Sequence, residues 1–118
     1  AEDRDVLAAA AAVQELTHEG EPVATLHGAA IDLLYYCNRT GWAFSVNDRR
    51  LADKLQMARK AGGRWLAVAD LKSAAESPSA SAALARLSMK RAGRGFKIYD
   101  LTAESLSRAD QRPAGPTR

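Results

Sequence analysis

The sequence predicts an α/β fold: a small three-layer domain with a short, mostly parallel sheet, helices on both faces and a C-terminal antiparallel β-hairpin. Short apolar runs alternate with segments of helical periodicity, and this order favours parallel strands joined by right-handed crossovers. The last two β-like runs flank Ala92-Gly93-Arg94-Gly95, which is typical of a hairpin loop. The predicted order is αβαβαβαββ.

The first half of the chain is predicted to form helix, strand, helix and strand in turn. Residues 3–18 carry apolar side chains at three- and four-residue spacing in an alanine-rich run with high helix propensity. Val23–Leu26 is a short apolar strand, as expected for a strand that is covered on both faces. Residues 29–38 are predicted to form the second helix, and Trp42–Ser45 the second strand.

The spacing of apolar residues in the second helix predicts which side of the helix each of its two tyrosines occupies. Ile31, Leu34 and Tyr35 are expected to share the core-facing side, whereas Tyr36 and Arg39 point elsewhere. Tyr35 and Tyr36 are therefore expected to be core and half-core residues, with a platform for a sugar ring as the alternative.

The second half continues the alternation. Asn47 or Asp48 is expected to cap a third helix that contains Leu51, Leu55 and Ala58. Residues 64–70 are the clearest predicted strand, apolar through the middle and ending on Asp70. Residues 73–78 are predicted to be a loop that leads into a helix from about Ser79, because Pro78 is tolerated only in a first helical turn.

The composition indicates one soluble globular domain. The 118 residues are 47% hydrophobic and 26% charged, and no apolar run approaches the length of about 20 residues that spans a bilayer. We expect residues 1–102 to form the domain and residues 103–118 to form a polar tail with Pro and Gly. Because the sequence starts at Ala1 and not at Met, we also expect a segment of a longer protein.

No pattern in the sequence predicts catalysis, a metal site or a cofactor. His18 and His27 have no Cys or His at ligand spacing, and the turn at Gly28 has one glycine where a dinucleotide fingerprint needs three. The single cysteine, Cys37, is interpreted as a small apolar residue of a helix and not as a reactive thiol.

Polar residues follow the predicted strands, and the carboxyl ends of parallel strands meet at one edge of a sheet. A small polar ligand at that edge would meet four candidate residues: His27, Asp32, Asn47 and Asp70. Structural roles are the alternatives: a backbone partner for His27, helix capping for Asn47, and a turn that begins at Asp70.

A cluster of basic residues lies near the C-terminal hairpin. Five basic residues fall between positions 86 and 97 with no acidic residue among them: Arg86, Lys90, Arg91, Arg94 and Lys97. We interpret Lys90, Arg91, Arg94 and Lys97 as a solvated basic surface, with an anionic lipid or a glycan as the alternative partner. Nucleic acid is disfavoured because no recognisable nucleic-acid-binding module surrounds the cluster.

Three segments resemble a known family in the same order and at similar spacing: "ELTHEGEPVATLHGAAIDLLYYCNRTGWAFS", "ARKAGGRWLAVAD" and "GRGFKIYDLT". They are similar to the C-terminal soluble region of bacterial multi-pass membrane glycosyltransferases related to dolichyl-phosphate-mannose–protein mannosyltransferases. The resemblance covers residues 13–102 and rests most on Leu33–Cys37 with Arg39, Gly41 and Trp42. It implies a periplasmic domain beside a transmembrane part that holds the catalytic acid and the donor site, so no catalytic residue carries over.

Three hypotheses follow, and the third, a small enzyme, ranks last because the sequence shows no nucleophile–base pair and no metal site. The first is a non-catalytic extracytoplasmic domain that assists acceptor binding or contacts the transmembrane part of the parent protein. The second is a stand-alone α/β module that binds a small polar ligand, such as a sugar or a phosphate-bearing molecule. The sequence leaves the sugar donor, the acceptor and the oligomeric state open.

Overall fold

A computed structural model of the chain describes residues 2–28 and 32–104. Five helices and five strands are present in this part of the chain. They follow in the order α1 (Glu2–Leu16), β1 (Val23–His27), α2 (Asp32–Cys37), β2 (Gly41–Ser45), α3 (Leu51–Lys60), β3 (Trp65–Ala69), α4 (Leu71–Glu76), α5 (Pro78–Ala85), β4 (Leu87–Gly93) and β5 (Phe96–Glu104).

The strands form one sheet in the order β2-β1-β3-β5-β4, with helices on both faces. The core has two parts, one on each face of the sheet, and alternate side chains of the central strand β3 point into each part. Trp65, Ala67 and Ala69 face α1 and α2, whereas Leu66 and Val68 face α3, α4 and α5. The α/β class and the three-layer arrangement are therefore confirmed.

The prediction of a mostly parallel sheet is wrong, because the sheet is mixed. β1 is parallel to both β2 and β3, but β5 is antiparallel to β3 and to β4. The reason lies in the two strands of the hairpin. β5 places Phe96 and Ile98 in one core and Tyr99 and Leu101 in the other, so it must lie inside the sheet. β4 is largely half-buried or exposed and takes the edge.

One helix is absent from the predictions. The predicted loop over residues 73–78 contains most of α4, which begins because the Asp70 carboxylate accepts a hydrogen bond from the Ser73 amide. Ser77 then ends α4 and caps α5, its Oγ accepting from the Ala80 amide at 3.1 Å. The start of α5 near Ser79 is confirmed.

Two predicted segments fall partly outside the described residues. Residues 29–31 of the predicted second helix lie outside them, and α2 is described from Asp32. β5 extends to Glu104, and the remainder of the predicted tail, residues 105–118, also lies outside. Within the described part of the chain, no helix has the length and apolar character that crossing a membrane requires.

Candidate functional site

The carboxyl ends of β1 and β3 form the place where an α/β sheet most often binds a ligand. After β1 the chain passes to α2 on one face, and after β3 it passes to α4 on the other face. The strand order is β2-β1-β3, so the two connections diverge between β1 and β3. Such a switch point leaves a crevice at the strand ends.

His27 and Asp70 are brought to this switch point. His27 is the last residue of β1 and only 6% exposed. Gly28 follows it and lies against the Asp70 carboxylate, because a Cβ at Gly28 would overlap the carboxylate oxygen Oδ2. Ser73 Oγ is the next neighbour of the same site, at 3.1 Å from that Cβ position.

Asp70 has a structural role in addition to its place in the crevice. Its backbone is left-handed, with φ 58°, a conformation that Asp tolerates better than most residues. Oδ1 accepts from the Ser73 amide at 3.4 Å and so caps α4. The sequence-based alternative was a turn that begins at Asp70, and the structure has a short helix beginning there instead.

Asn47 and Asp48 do not cap α3, so that prediction is wrong. Arg50 is the capping residue and its side chain makes no capping hydrogen bond. The Asp48 carboxylate instead accepts from the Arg50 amide at 2.9 Å and from Lys54 Nζ. Hydrogen bonds from Lys54 and from the Arg50 amide hold the pKa of Asp48 below its ordinary value.

Asn47 does not join the crevice, because the residue is exposed to solvent and its backbone amide bonds to Ser45. The Asn47 residue is exposed, and its amide donates to Ser45 Oγ at 3.1 Å. Ser45 Oγ in turn donates to the Gly28 carbonyl at 3.4 Å, so Ser45 links the loops after β1 and β2. Asp32 begins α2, and its side chain lies outside the described residues. The structure thus brings together two of the four candidates.

The Cys37 thiol is buried in the core beneath α1 and α2. Burial raises the pKa of Cys37 to about 11, and the smaller effect of the Arg39 charge opposes this. A thiol of such high pKa is almost wholly protonated at neutral pH and is a poor nucleophile. Among the described residues, no three or more His, Cys, Asp or Glu side chains are grouped so that they could hold a metal ion.

The basic residues of the hairpin do not form one patch. Arg91 pairs with Ile98 in register and so faces α1, where its guanidinium contacts Glu15 Oε1 at 2.7 Å. Lys97 lies on the opposite face, beside α4 and α5. Lys90 and Arg94 are exposed. The sequence could not show this division, because it depends on the register and on an acidic residue from α1.

Tyr35 was expected in the core, but its side chain is outside. Leu33 and Cys37, four residues apart, face the core, and this spacing turns Tyr35 and Tyr36 away from it. Tyr35 is 79% exposed and Tyr36 47% exposed. The pairing of Leu33 with Cys37 was the sequence signal that could have located both tyrosines.

The two rings and a fixed arginine form a surface that we call the tyrosine surface: Tyr35, Tyr36 and Arg39. The ring centroids are 5.6 Å apart at an interplanar angle of 74°, an edge-to-face contact. Arg39 lines the same shallow depression. Its Nε donates to Thr17 Oγ1 at 3.0 Å and its Nη1 to the Asn38 carbonyl at 3.0 Å, which fixes the guanidinium beside the rings.

Comparison with known protein families, with curated proteins and with solved structures finds no match to this chain. The candidate sites therefore depend on the geometry of this chain alone.

Proposed function

We propose that this chain is a non-catalytic extracytoplasmic domain of a bacterial membrane glycosyltransferase-like protein, and that it contacts the transmembrane part or the acceptor through the tyrosine surface. One observation carries the proposal. In the segment from Leu33 to Trp42, where the family resemblance is strongest, the fold buries Leu33 and Cys37 and packs Trp42 but leaves the two large aromatic side chains of Tyr35 and Tyr36 outside.

Four other residues of that segment have structural roles. Leu33 and Cys37 fill the core under α1. Gly41 allows β2 to approach β1, since a Cβ there would overlap the Val23 carbonyl. Trp42 packs against the core under α3. A tyrosine pair that the core does not use is better explained by a contact with another molecule.

The chemistry of the tyrosine surface suits such a contact. Tyr and Arg are enriched where proteins contact partners, because each combines an apolar body with a polar end. Exposed rings also suit the apolar faces of sugar rings, and Arg39 and Glu19 add one charge of each sign beside them, both able to bind sugar hydroxyls. The same surface therefore serves an acceptor glycan or a polypeptide of the transmembrane part.

Three side chains that could take part in catalysis, those of Cys37, Asp70 and Asp48, already have structural roles, and this supports a non-catalytic function. The thiol of Cys37 is buried, Asp70 caps a helix, and Asp48 is paired with Lys54. No buried side-chain nitrogen or oxygen in the described residues lacks a hydrogen-bond partner.

The test uses the intact gene product in its native membrane. A photo-crosslinking amino acid replaces Tyr35 in one variant and Met57 in a matched control, since Met57 is 55% exposed on the other face. We expect position 35 to crosslink to a membrane-spanning segment of the same protein or to a glycan, and position 57 to give neither product. Equal crosslinking at both positions contradicts the proposal, as does a gene product without apolar segments of about 20 residues.

Exposed Lys90 and Arg94 provide a separate test of membrane proximity. Each basic residue near an anionic bilayer contributes roughly 1 kcal/mol, so we expect weak flotation with phosphatidylserine vesicles at low salt. Lys90→Ala with Arg94→Ala should remove it, whereas Arg59→Ala with Lys60→Ala, at the end of α3, should not. If the chain does not float at low salt, the hairpin has no part in membrane contact.

A second candidate function is the binding of a small polar ligand at the β1/β3 switch point. The observation that favours it is the approach of the Asp70 carboxylate to Gly28 at that crevice. A thermal-shift screen with sugars, nucleotides and sugar phosphates tests it, because a ligand at 100 times its Kd adds about 2.7 kcal/mol. The stabilisation should be lost in Asp70→Asn and kept in Asp53→Asn, and a flat response to all compounds excludes the candidate.

A further inference from the structure

The outer edge of β2 has backbone groups that no described element pairs with, since β2 ends the sheet. The Val23 amide donates to the Thr40 carbonyl at 2.9 Å, and the Val46 amide donates to the His27 carbonyl at 3.2 Å. Thr40 and Val46 therefore direct backbone groups to β1. Because alternate residues of a strand direct their N–H and C=O groups to the same side, Trp42 and Phe44 also direct theirs to β1. Gly41, Ala43 and Ser45 direct theirs outward.

We propose that this edge pairs with the same edge of a second copy of the chain, in antiparallel register with Ala43 opposite the partner's Ala43. The proposal does not depend on the proposed function. In this register the two Ala43 residues can exchange both N–H···O bonds. Gly41 lies opposite the partner's Ser45, whose amide can donate to the Gly41 carbonyl, while the Ser45 carbonyl already accepts from the Asp48 amide at 3.1 Å and has one lone pair left for the partner. Two five-stranded sheets then join into one continuous sheet around a two-fold axis.

The side-chain pattern of β2 is complementary to itself. The sequence Gly-Trp-Ala-Phe-Ser has aromatic residues on both sides of its central alanine and small residues at its ends. Trp42 falls opposite the partner's Phe44, in a pair without backbone hydrogen bonds, where side chains approach most closely. Trp42 and Phe44 are only partly buried in one chain, so this pairing removes further aromatic surface from water.

The charges agree with an antiparallel pair. β2 contains no charged residue, so nothing on the strand repels a second copy. Antiparallel pairing keeps Arg39, which precedes β2, at the opposite end of the strand pair from the partner's Arg39, whereas parallel pairing would set the two side by side. Only the antiparallel arrangement closes as a two-fold dimer.

The opposite edge lacks these properties. Along β4 the register shifts between Met89 and Arg91, which leaves Lys90 as an extra residue in a bulge. A bulge and basic side chains on an edge strand oppose pairing with another strand. We therefore expect association through β2 alone.

Sedimentation of the chain at increasing concentration tests the proposal. Contact along one five-residue strand is small, so we expect a dimer with a Kd of about 1 µM to 1 mM. Ala43→Lys places a charge on the two-fold axis, and Ala43→Pro removes the outward amide without touching a bond to β1. Each should weaken association at least tenfold. Ala92→Lys, at an exposed alanine of the β4 edge, is the matched control and should leave the Kd unchanged.

Circular dichroism first establishes that each variant is folded, and Ala43→Lys serves alone if Ala43→Pro does not fold. A chain that remains monomeric at about 1 mM overturns the proposal. A dimer that persists in Ala43→Lys, or one that Ala92→Lys also abolishes, overturns it as well, because the contact would then lie elsewhere.

Discussion

The two edges of the sheet differ in how they are built and in what they expose. β4 is held by a hairpin partner that follows it directly in the chain, and it carries a bulge, Lys90 and Arg91. β2 is held by parallel pairing with β1, across the crossover through α2, and it is uncharged. The difference indicates that one edge is protected against further pairing and the other is open to it.

The comparison also shows where each edge is vulnerable. β2 depends on a close approach of two backbones at Gly41, whereas at Gly95, in the hairpin loop, the nearest atoms belong to the Asp5 side chain, which can move. Changes at β2 should therefore destabilise the fold more than equivalent changes at the hairpin.

The largest effect is expected at Gly41. Its φ of 146° is reserved for glycine, and a Cβ would overlap the Val23 carbonyl, so Gly41→Ala should lower the free energy of unfolding by about 3–4 kcal/mol. Gly95→Ala is the counterpart at the hairpin, with φ 81° and an overlap only with the movable Asp5 carboxylate. It should cost about 1 kcal/mol. Urea unfolding measures both, and equal losses would contradict the difference between the edges.

Asp100 should give the next effect, on the hairpin side. This carboxylate is 3% exposed on β5 and accepts from the Thr102 amide at 2.8 Å, and Arg64 approaches it at 3.4 Å. Burial acts to raise the pKa of Asp100, but the hydrogen bonds from Thr102 and the charge of Arg64 outweigh it, and the pKa lies below its ordinary value. Asp100→Asn should cost about 2 kcal/mol at neutral pH.

The pH dependence follows from the direction of that shift. Since the pKa of Asp100 is lower in the folded chain than in the unfolded chain, its ionised form stabilises the fold above the unfolded pKa of about 3.9. This contribution disappears as the pH falls through the folded pKa, so the wild type and Asp100→Asn should converge in acid. Exposed Asp53→Asn is the control, and a gap that stays constant down to strong acid would refute the assignment.

Ser77 should give a smaller effect, on the β2 side. Its Oγ caps α5 and donates to the Val46 carbonyl at 2.5 Å, which ties the residue after β2 to a helix. Ser77→Ala should cost about 1 kcal/mol in thermal or urea unfolding. Ser81→Ala lies on the exposed side of the same helix and should cost nothing, so a similar loss in both variants would argue against the cap.

The smallest effect is expected for the ion pair that joins the hairpin to α1. Arg91 and Glu15 are 2.7 Å apart but remain partly exposed, so their coupling should be at most about 0.5 kcal/mol. A double-mutant cycle of Arg91→Ala and Glu15→Ala measures the coupling, which should vanish in high salt. A coupling that persists in high salt would contradict this prediction, because the interaction of a solvent-exposed ion pair should be screened.

Most elements could be predicted because their signals are local. The apolar face of α1, with Val6, Ala9 and Val13, and the fully buried β1 and β3 follow directly from residue spacing. α4 was missed because six residues give too little periodicity, and its start depends on the Asp70 cap. Tyr35 was misplaced because the phase of the short α2 is set by contacts of Leu33 and Cys37 with α1.

The sequence by itself determined the α/β class and the closing hairpin. Tertiary structure decided the direction and order of the last strands, the approach of His27 and Asp70, and the division of the basic residues between two faces. It also left one uncharged edge, along β2, without a described partner. The physical reason is that periodicity reports which side of an element is apolar, whereas strand order depends on which apolar surfaces of distant segments can be buried together.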